Sequence, residues 1–202
     1  MSITYTSLDT TGDVFHGPTD EEGLAHGEGT LTMGAGGTSY GTWVHGLQQG
    51  YGRVELDEGA VYEGEIEDDM YHGKGKMVSG NGSVYEGDWI ADEPHGVGRM
   101  VDDEGDTYEG EFRHGKYHGK GKLITEKGAW YEGEFRRGQL YGKGKCHLLN
   151  GDTHEGTWKN GKQHGPGKLT QSDGTVYEGY WSHGVFYDTK HVTYGYDYDE
   201  LV

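Results

Sequence analysis

The sequence predicts an all-β protein, an elongated single-sheet solenoid of consecutive antiparallel β-hairpins. Three observations predict it: a repeat of 23 residues, side chains that alternate with a period of two, and 40 glycines among 202 residues. Alternation with a period of two is typical of a strand with one buried face. An isolated hairpin is unstable in water, so the repeated hairpins must stack on one another to form a fold.

The repeat is marked by two series of glycines that each step by 23 residues. One series runs from Gly41 to Gly179 and the other from Gly29 to Gly167. The first copy is longer by one residue, which lies in the loop around residues 19–22. The predicted divisions are an N-terminal extension at 1–12, seven full repeats and a partial eighth at 13–187, and an acidic, aromatic C-terminal tail or cap at 188–202.

Each repeat is predicted to form one hairpin. In a representative copy, Tyr108, Gly110 and Phe112 share one face of the first strand. After a short connection, Gly121 and Leu123 share one face of the second strand. Dipeptides of the Asn-Gly and His-Gly type stand at the connections, as expected for tight turns.

The glycines predict close contacts with bare backbone. Glycine inside a strand is costly, and it usually marks a place where another group approaches the main chain. We expect the Tyr and Trp/Phe rings of neighbouring strands to lie flat over these positions, where a side chain would collide with them. The predicted structural glycines are Gly64, Gly75, Gly87, Gly98, Gly110, Gly121, Gly133 and Gly144.

A family resemblance follows from this pattern. Residues 108–121 have the form Tyr-Glu-Gly-x-Phe-x-x-Gly-x-x-His-Gly-x-Gly, which resembles the MORN repeat (membrane occupation and recognition nexus). The resemblance extends over roughly residues 13–187 and implies a cytoskeletal or ciliary scaffold. Residues 20–27 also resemble the MORN region that precedes the SET domain of one group of histone lysine methyltransferases. No SET domain follows here, so this second resemblance implies no enzymatic activity.

Charge and composition exclude several classes of function. A formal net charge of −18 argues against nucleic-acid binding, which depends on cations that neutralise phosphates. The single cysteine cannot form an internal disulfide, and no apolar run approaches the ~18 residues of a membrane helix. We therefore expect a cytoplasmic protein, associated with the cytoskeleton or a cilium if the family resemblance holds.

The charge is distributed unevenly along the chain. Residues 1–107 contain 22 Asp/Glu and 4 Lys/Arg, whereas residues 108–176 contain 8 and 12. Three interpretations of the basic segment stay open: a solvated face, a homodimer in which acidic and basic halves pair, and contact with acidic lipid. Lipid contact is the weakest, because the segment carries carboxylates of its own and the net charge repels anionic membranes. The possible basic contact patch is Lys120, Lys122, Arg136, Arg137, Lys143 and Lys145.

The histidines and the cysteine do not predict a chemical site. Five of the 12 histidines recur at one slot of the repeat, about 10 Å apart per repeat, so they cannot converge on one ion. Zinc at a dimer contact is a minor alternative. Cys146 shares the register of Leu123 and Leu169, which indicates a buried apolar residue rather than a nucleophile. The sequence thus predicts no catalytic residue, no cofactor and no metal.

The predicted function rests on a row of aromatic residues along one face, since exposed aromatic rows mark interaction sites. We predict a non-catalytic scaffold that takes a peptide or a helix of a partner protein in this trough, with a homodimer possible. The alternatives are a phosphoinositide or membrane-tethering module, and a regulatory MORN module related to the methyltransferase N-terminal regions. The predicted trough consists of Trp43, Tyr62, Tyr85, Trp89, Tyr108, Phe112, Tyr131, Phe135, Trp158, Tyr177 and Trp181.

Overall fold

The fold is built entirely of short antiparallel strands. A computed structural model of the chain describes residues 4–5 and 12–188. Its internal contacts divide the chain into two compact units, Met1–Asp103 (unit 1) and Glu104–Val202 (unit 2). Apart from one 3₁₀ turn at Asp57–Gly59, the described residues contain strands and turns, so the predicted all-β class is confirmed. Most of the predicted N-terminal extension, and the tail beyond residue 188, lie outside the described residues.

In unit 1, every strand pairs antiparallel with the next one in the chain. The strands are β1 (Thr4–Tyr5), β2 (Val14–His16), β3 (Gly27–Thr32), β4 (Gly37–Val44), β5 (Leu47–Leu56), β6 (Val61–Glu67), β7 (Met70–Val78), β8 (Val84–Ile90) and β9 (Glu93–Val101). The short strand β1 falls in the segment predicted as an extension and pairs with β2.

Unit 2 repeats the same pairing of consecutive strands. Its strands are β10 (Thr107–Arg113), β11 (Lys116–Ile124), β12 (Trp130–Arg136), β13 (Gln139–His147), β14 (Thr153–Lys159), β15 (Lys162–Thr170), β16 (Val176–Ser182) and β17 (Val185–Tyr187). The prediction of consecutive antiparallel hairpins is therefore confirmed in both units.

Two-residue turns close the hairpins at one edge of each unit. In unit 2 we call this border the turn edge. In the first of its turns, His114 and Gly115 have φ values of 49° and 67°, as a type I′ turn requires at both central positions. The turns of the next hairpins are fastened to the strand before them, because the Gly138 N–H donates to the Tyr117 carbonyl at 2.9 Å. The turn edge consists of the turns His114–Gly115, Arg137–Gly138, Asn160–Gly161 and His183–Gly184 and the residues that flank them.

In each unit, aromatic rings on one face of the strands form the core. Tyr108 is representative: it stacks on Tyr117 with ring centroids 3.8 Å apart and meets the edges of Phe112 and Phe135 at 5.1 Å. Such edge-to-face and stacked pairs add to the free energy gained by burying the rings. The other face of the strands carries charged side chains, and we call it the ladder face.

The tyrosine hydroxyls fix the rings to the backbone. The Tyr108 hydroxyl donates to the carbonyls of Glu111 at 3.1 Å and His118 at 3.2 Å. Its ring then covers Gly121, where an added Cβ would lie 2.2 Å from the hydroxyl oxygen. The same arrangement occurs at Tyr62 and Tyr85. Each tyrosine thus donates to backbone carbonyls through its hydroxyl and fills space with its ring, which explains why tyrosine recurs there.

Replacing Tyr108 with phenylalanine should lower the free energy of unfolding by about 1–2 kcal/mol, because two carbonyls lose a donor without loss of ring packing. Tyr131→Phe is the matched control, since the Tyr131 side chain is half-buried and its hydroxyl bonds no described residue. We expect the control to be nearly neutral in urea unfolding. Equal losses in the two variants would show that the hydroxyl contacts of Tyr108 contribute nothing specific.

Where a repeat lacks the tyrosine, another side chain takes its place. Ser39 stands at this position in one copy, and its hydroxyl donates to Gln48 Oε1 at 2.5 Å. The Gln48 amide donates to the Tyr40 carbonyl at 3.0 Å, and its nitrogen lies over Gly41 and Gly52. The buried amide therefore replaces the ring that covers the glycine pair elsewhere.

Candidate interaction surfaces

The aromatic residues predicted to form an open trough belong to the core. The predicted row assumed exposed rings, and the structure corrects that assumption: nine of the eleven rings are buried by neighbouring residues. Of the predicted set, Tyr131 is half-buried and Tyr177 is 39% exposed. The buried members are Trp43, Tyr62, Tyr85, Trp89, Tyr108, Phe112, Phe135, Trp158 and Trp181.

The ladder face of unit 2 carries a row of alternating charges. Successive cross-strand partners alternate between glutamate and lysine, because each strand places one of these residues beside the glycine of its repeat. Opposite charges that face each other across strands are mildly stabilising. The row consists of Glu109, Lys122, Glu132, Lys145, Glu155, Lys168 and Glu178.

The predicted basic contact patch divides into two parts. Lys122 Nζ lies 3.4 Å from Glu132 and Lys145 Nζ lies 3.8 Å from Glu155, so these lysines are neutralised within the ladder. Lys120 faces Glu134 across the strands in the same manner, while Lys143 faces a threonine. Exposed pairs of this kind contribute little to stability, but they cancel the charge that a ligand would meet. The remaining two members, Arg136 and Arg137, lie at the turn edge.

The turn edge of unit 2 concentrates cations that the ladder does not neutralise. None of its six lysines and arginines forms an ion pair with a described residue, and the three turn segments 113–116, 136–139 and 159–162 contain no Asp or Glu. Arg136 lies over the Tyr141 ring at 5.3 Å, and this contact leaves its charge exposed. The six cations of the turn edge are Arg113, Lys116, Arg136, Arg137, Lys159 and Lys162.

Hydrogen bonds between neighbouring hairpins fix the spacing of these cations. The contact made by Gly138 recurs at the next two turns, where Gly161 N–H donates to Leu140 at 3.0 Å and Gly184 N–H donates to Gln163 at 2.9 Å. Two strands at ~4.8 Å each separate successive turns by about 10 Å. The turn edge is therefore a regular row of positive charge on a rigid border.

An open groove of about 1170 Å³ on the ladder face of unit 2 is lined in part by Trp130. The Trp130 ring stacks on His147 with centroids 6.1 Å apart, and Lys122 Nζ lies 5.0 Å from its centre. Beside it, Ile124 is exposed. The repeat pattern gave no signal for this tryptophan, because its position is occupied by Thr107, Thr153 and Val176 in the other copies of the unit.

Two groups with potential chemistry are enclosed in the core. Burial raises the pKa of the Cys146 thiol, so the thiolate that a nucleophile requires is disfavoured. Burial also lowers the pKa of His154 to about 4, and neither ring nitrogen bonds a described residue. His154 occupies the tyrosine position of its repeat and lies against Trp158 and Trp181. Both side chains are therefore core residues.

These features define a class: a β-repeat protein that presents surfaces along its turns and strand faces. The family comparison places the chain within that class. The model of the MORN repeat matches seven segments, and the chain belongs to the MORN-repeat family. The matched segments are residues 21–38, 40–59, 62–84, 85–107, 108–129, 131–153 and 154–176. The likeness of residues 20–27 to a methyltransferase region has no support among these findings.

Two solved structures resemble this chain at low identity. The TCP domain of Drosophila melanogaster SAS-4, in complex with a proline-rich motif of Ana2, has a TM-score of 0.46 and 9% identity, covering 88% of this chain and 95% of that chain. The TCP10 domain of Danio rerio CPAP, in complex with a STIL peptide, has a TM-score of 0.48 and 10% identity, covering 89% and 84%. A comparison with curated proteins found no match.

One further finding concerns membranes. Among the described residues, there is no helix of the length and apolar character needed to cross a bilayer.

Proposed function

We propose that this chain is a non-catalytic protein-interaction scaffold whose turn edge in unit 2 binds an extended acidic segment of a partner protein. The observation that carries the proposal is the row of six cations without ion pairs, set beside a ladder whose lysines are largely neutralised. Complementary charge of this kind steers a partner toward the surface and sets its register.

The spacing of the turns favours an extended ligand. An extended chain in the polyproline II conformation advances about 3.1 Å per residue and returns to the same face at every third residue, so three residues span about the ~10 Å between successive turns. A segment with a carboxylate at every third position would place one acid at each turn. A compact acidic domain would match this row less well, because its charges do not recur at a fixed interval along a line.

A protein partner fits these charges better than a membrane does. Anionic lipid attracts clusters of ~4–8 basic residues, and the turn edge has six. However, the chain as a whole carries −18, and a flat anionic surface would repel the remainder of the protein. A narrow acidic segment meets the basic row alone. The phosphoinositide or membrane-tethering alternative is therefore the second candidate.

The proposal also includes a cellular location for the scaffold. We place it in a cytoskeletal or ciliary assembly, as the family resemblance implies. A homodimer is a further possibility, since the acidic segment 1–107 of a second copy could supply the carboxylates.

The binding test uses the full chain and a fluorescent peptide of 15 residues with Glu at every third position and Ser or Gly elsewhere. We expect fluorescence anisotropy to show binding that weakens about tenfold between 50 and 200 mM salt, as exposed charges are screened. A peptide with Gln in place of every Glu should not bind.

Two charge-matched variants locate the site. Lys159→Gln/Lys162→Gln removes two cations from the turn edge, and Lys122→Gln/Lys145→Gln removes two from the ladder. Because the net charge changes equally, only the location differs. We expect about a tenfold loss of affinity for the first variant and less than a twofold loss for the second. Equal losses, or stronger binding to phosphatidylserine vesicles than to the peptide, would contradict the proposal.

Light scattering of the full chain at low salt tests self-association. If the mass is doubled and Lys159→Gln/Lys162→Gln returns it to the mass of one chain, the partner of the turn edge is a second copy of this chain.

A further inference from the structure

Three metal-binding side chains converge in unit 1. The ligand atoms of Asp20, His26 and His45 all lie within 4.8 Å of one another, a grouping found at no other place in the described residues. His45 Nδ1 lies 2.7 Å from Asp20 Oδ2, and the His26 and His45 rings have centroids 5.4 Å apart. Zinc sites that keep one coordination position open use three protein ligands.

The Asp20 carboxylate is held by its own loop. Its Oδ1 atom accepts the N–H groups of Leu24 at 2.9 Å and Glu22 at 3.0 Å, so Oδ2 is left to face His45. Hydrogen bonds to the second oxygen of a carboxylate are the usual outer support of a metal ligand.

The two histidines are fixed through their backbones. The His26 N–H donates to the Pro18 carbonyl at 2.9 Å, which closes the loop that carries Asp20. The turn that carries His45 is fastened to this loop, because the Gly46 N–H donates to the Ala25 carbonyl at 2.9 Å. Both rings are exposed, so small rotations can bring their nitrogens closer together without moving the main chain.

We propose that Asp20, His26 and His45 form a Zn²⁺ site whose fourth position is taken by water. Imidazole nitrogens and a carboxylate oxygen are ligands that zinc prefers, and sites with three protein ligands keep one position open. Zinc–ligand distances of about 2.0–2.2 Å place tetrahedral ligand atoms roughly 3.3 Å apart. The bound ion would tie the inserted loop of the first repeat to the β4–β5 turn.

The chain contains a natural comparison for this site. His164 and His183 repeat the spacing of His26 and His45, and their rings lie 5.3 Å apart at a similar angle. This second pair has no Asp20 equivalent, because the carboxylate stands in the loop where the first repeat has its additional residue. The proposal therefore requires zinc at the first pair and much weaker binding at the second.

The experiment is a titration of the full, tag-free chain with ZnCl₂ after removal of metal by a chelator. Isothermal calorimetry should give one Zn²⁺ per chain, and Co²⁺ in place of Zn²⁺ should give the visible absorption of a tetrahedral site. Asp20→Asn should weaken zinc binding at least tenfold, since it retains an oxygen for the loop but lacks the charge. His164→Gln/His183→Gln should bind zinc as the unaltered chain does.

Thermal unfolding separates binding from folding. Zinc should raise the melting temperature of the unaltered chain and of His164→Gln/His183→Gln, because a ligand of the folded state stabilises it. It should not raise that of Asp20→Asn. If Asp20→Asn proves unfolded without metal, His45→Gln takes its place, since His45 is an exposed turn residue. Undiminished zinc binding by both variants, or no binding by the unaltered chain, overturns the proposal.

Discussion

Alanine at Gly121 should lower the free energy of unfolding by about 3 kcal/mol, near the upper end of what overpacking a core costs. The new Cβ would lie 2.2 Å from the Tyr108 hydroxyl oxygen and 2.4 Å from the ring carbon that bears it. The ring cannot withdraw, because Tyr117 stacks on it and Phe112 and Phe135 border it. The midpoint of urea unfolding measures the effect.

The matched control is alanine at Gly144, the same position one repeat later. There the nearest atoms to an added Cβ are Leu140 Cδ2 at 3.0 Å, Trp158 Cδ1 at 3.1 Å and the Glu132 carbonyl oxygen at 3.2 Å. We expect a loss of about 1 kcal/mol, because each of these neighbours has to give by only a few tenths of an ångström. In a double variant with Tyr108→Leu, Gly121→Ala should cost much less, because the collision partner is gone. Equal costs at the two glycines would show that ring contact does not explain the glycine series.

Acidification from pH 6.5 to pH 4 should remove roughly 3 kcal/mol of stability through His154 alone. Burial lowers its pKa in the folded protein to about 4, whereas the unfolded chain has the ordinary value of 6.5. The unfolded state therefore binds the proton first as the pH falls, and folding is disfavoured. The full contribution of neutral His154 is present above pH 6.5 and is lost as the pH falls toward 4.

The variant His154→Tyr isolates this effect. It restores the tyrosine of the other repeats, whose hydroxyl would reach the Thr157 and His164 carbonyls in the register that Tyr108 uses. We expect the variant to gain about 1–2 kcal/mol at neutral pH and to lose less stability than the unaltered chain between pH 6.5 and 4. Urea unfolding at several pH values gives the difference between the two curves. If the free energies of unfolding of the two proteins fall in parallel with pH, burial does not lower the pKa of His154.

The sequence predicted the fold well because the repeat specifies its own contacts. Glycine at Gly121 and tyrosine at Tyr108 recur together in several copies, and the ring over the bare backbone is the physical reason. The face of each strand also followed from alternation. What alternation could not supply was whether that face is open: a row of aromatic residues can line a trough or fill it, and the hydroxyl contacts of Tyr62 and Tyr108 show that it is filled.

The second residue after each two-residue turn was missed as a core residue. Tyr71 and Tyr117 stack on the repeat tyrosines, and Gln48 and Leu140 are buried at the same position of other copies. Because this position holds glutamine, tyrosine, proline, leucine or phenylalanine, its apolar role does not stand out in the pattern.

The candidate sites depend on contacts between different repeats. From the sequence, the histidines of different repeats were not expected to converge on one ion. In the structure, the His26 ring lies against the ring of His45 in the following turn. The basic patch was assigned from spacing on a strand, and the pairing of Lys122 with Glu132 required the cross-strand register. Distances across neighbouring hairpins are set by turns and bulges, which a single repeat does not reveal.

In unit 2, the hydrogen bond from each turn to the hairpin before it allows the number of repeats, and so the length of the turn edge, to change. Since Gly138, Gly161 and Gly184 make equivalent bonds to their predecessors, duplication or loss of one 23-residue copy would recreate the same junction. Each copy added by duplication of 131–153 would extend the border by about 10 Å and bring two more arginines. A change in the number of repeats would therefore change the length of this border in steps of about 10 Å.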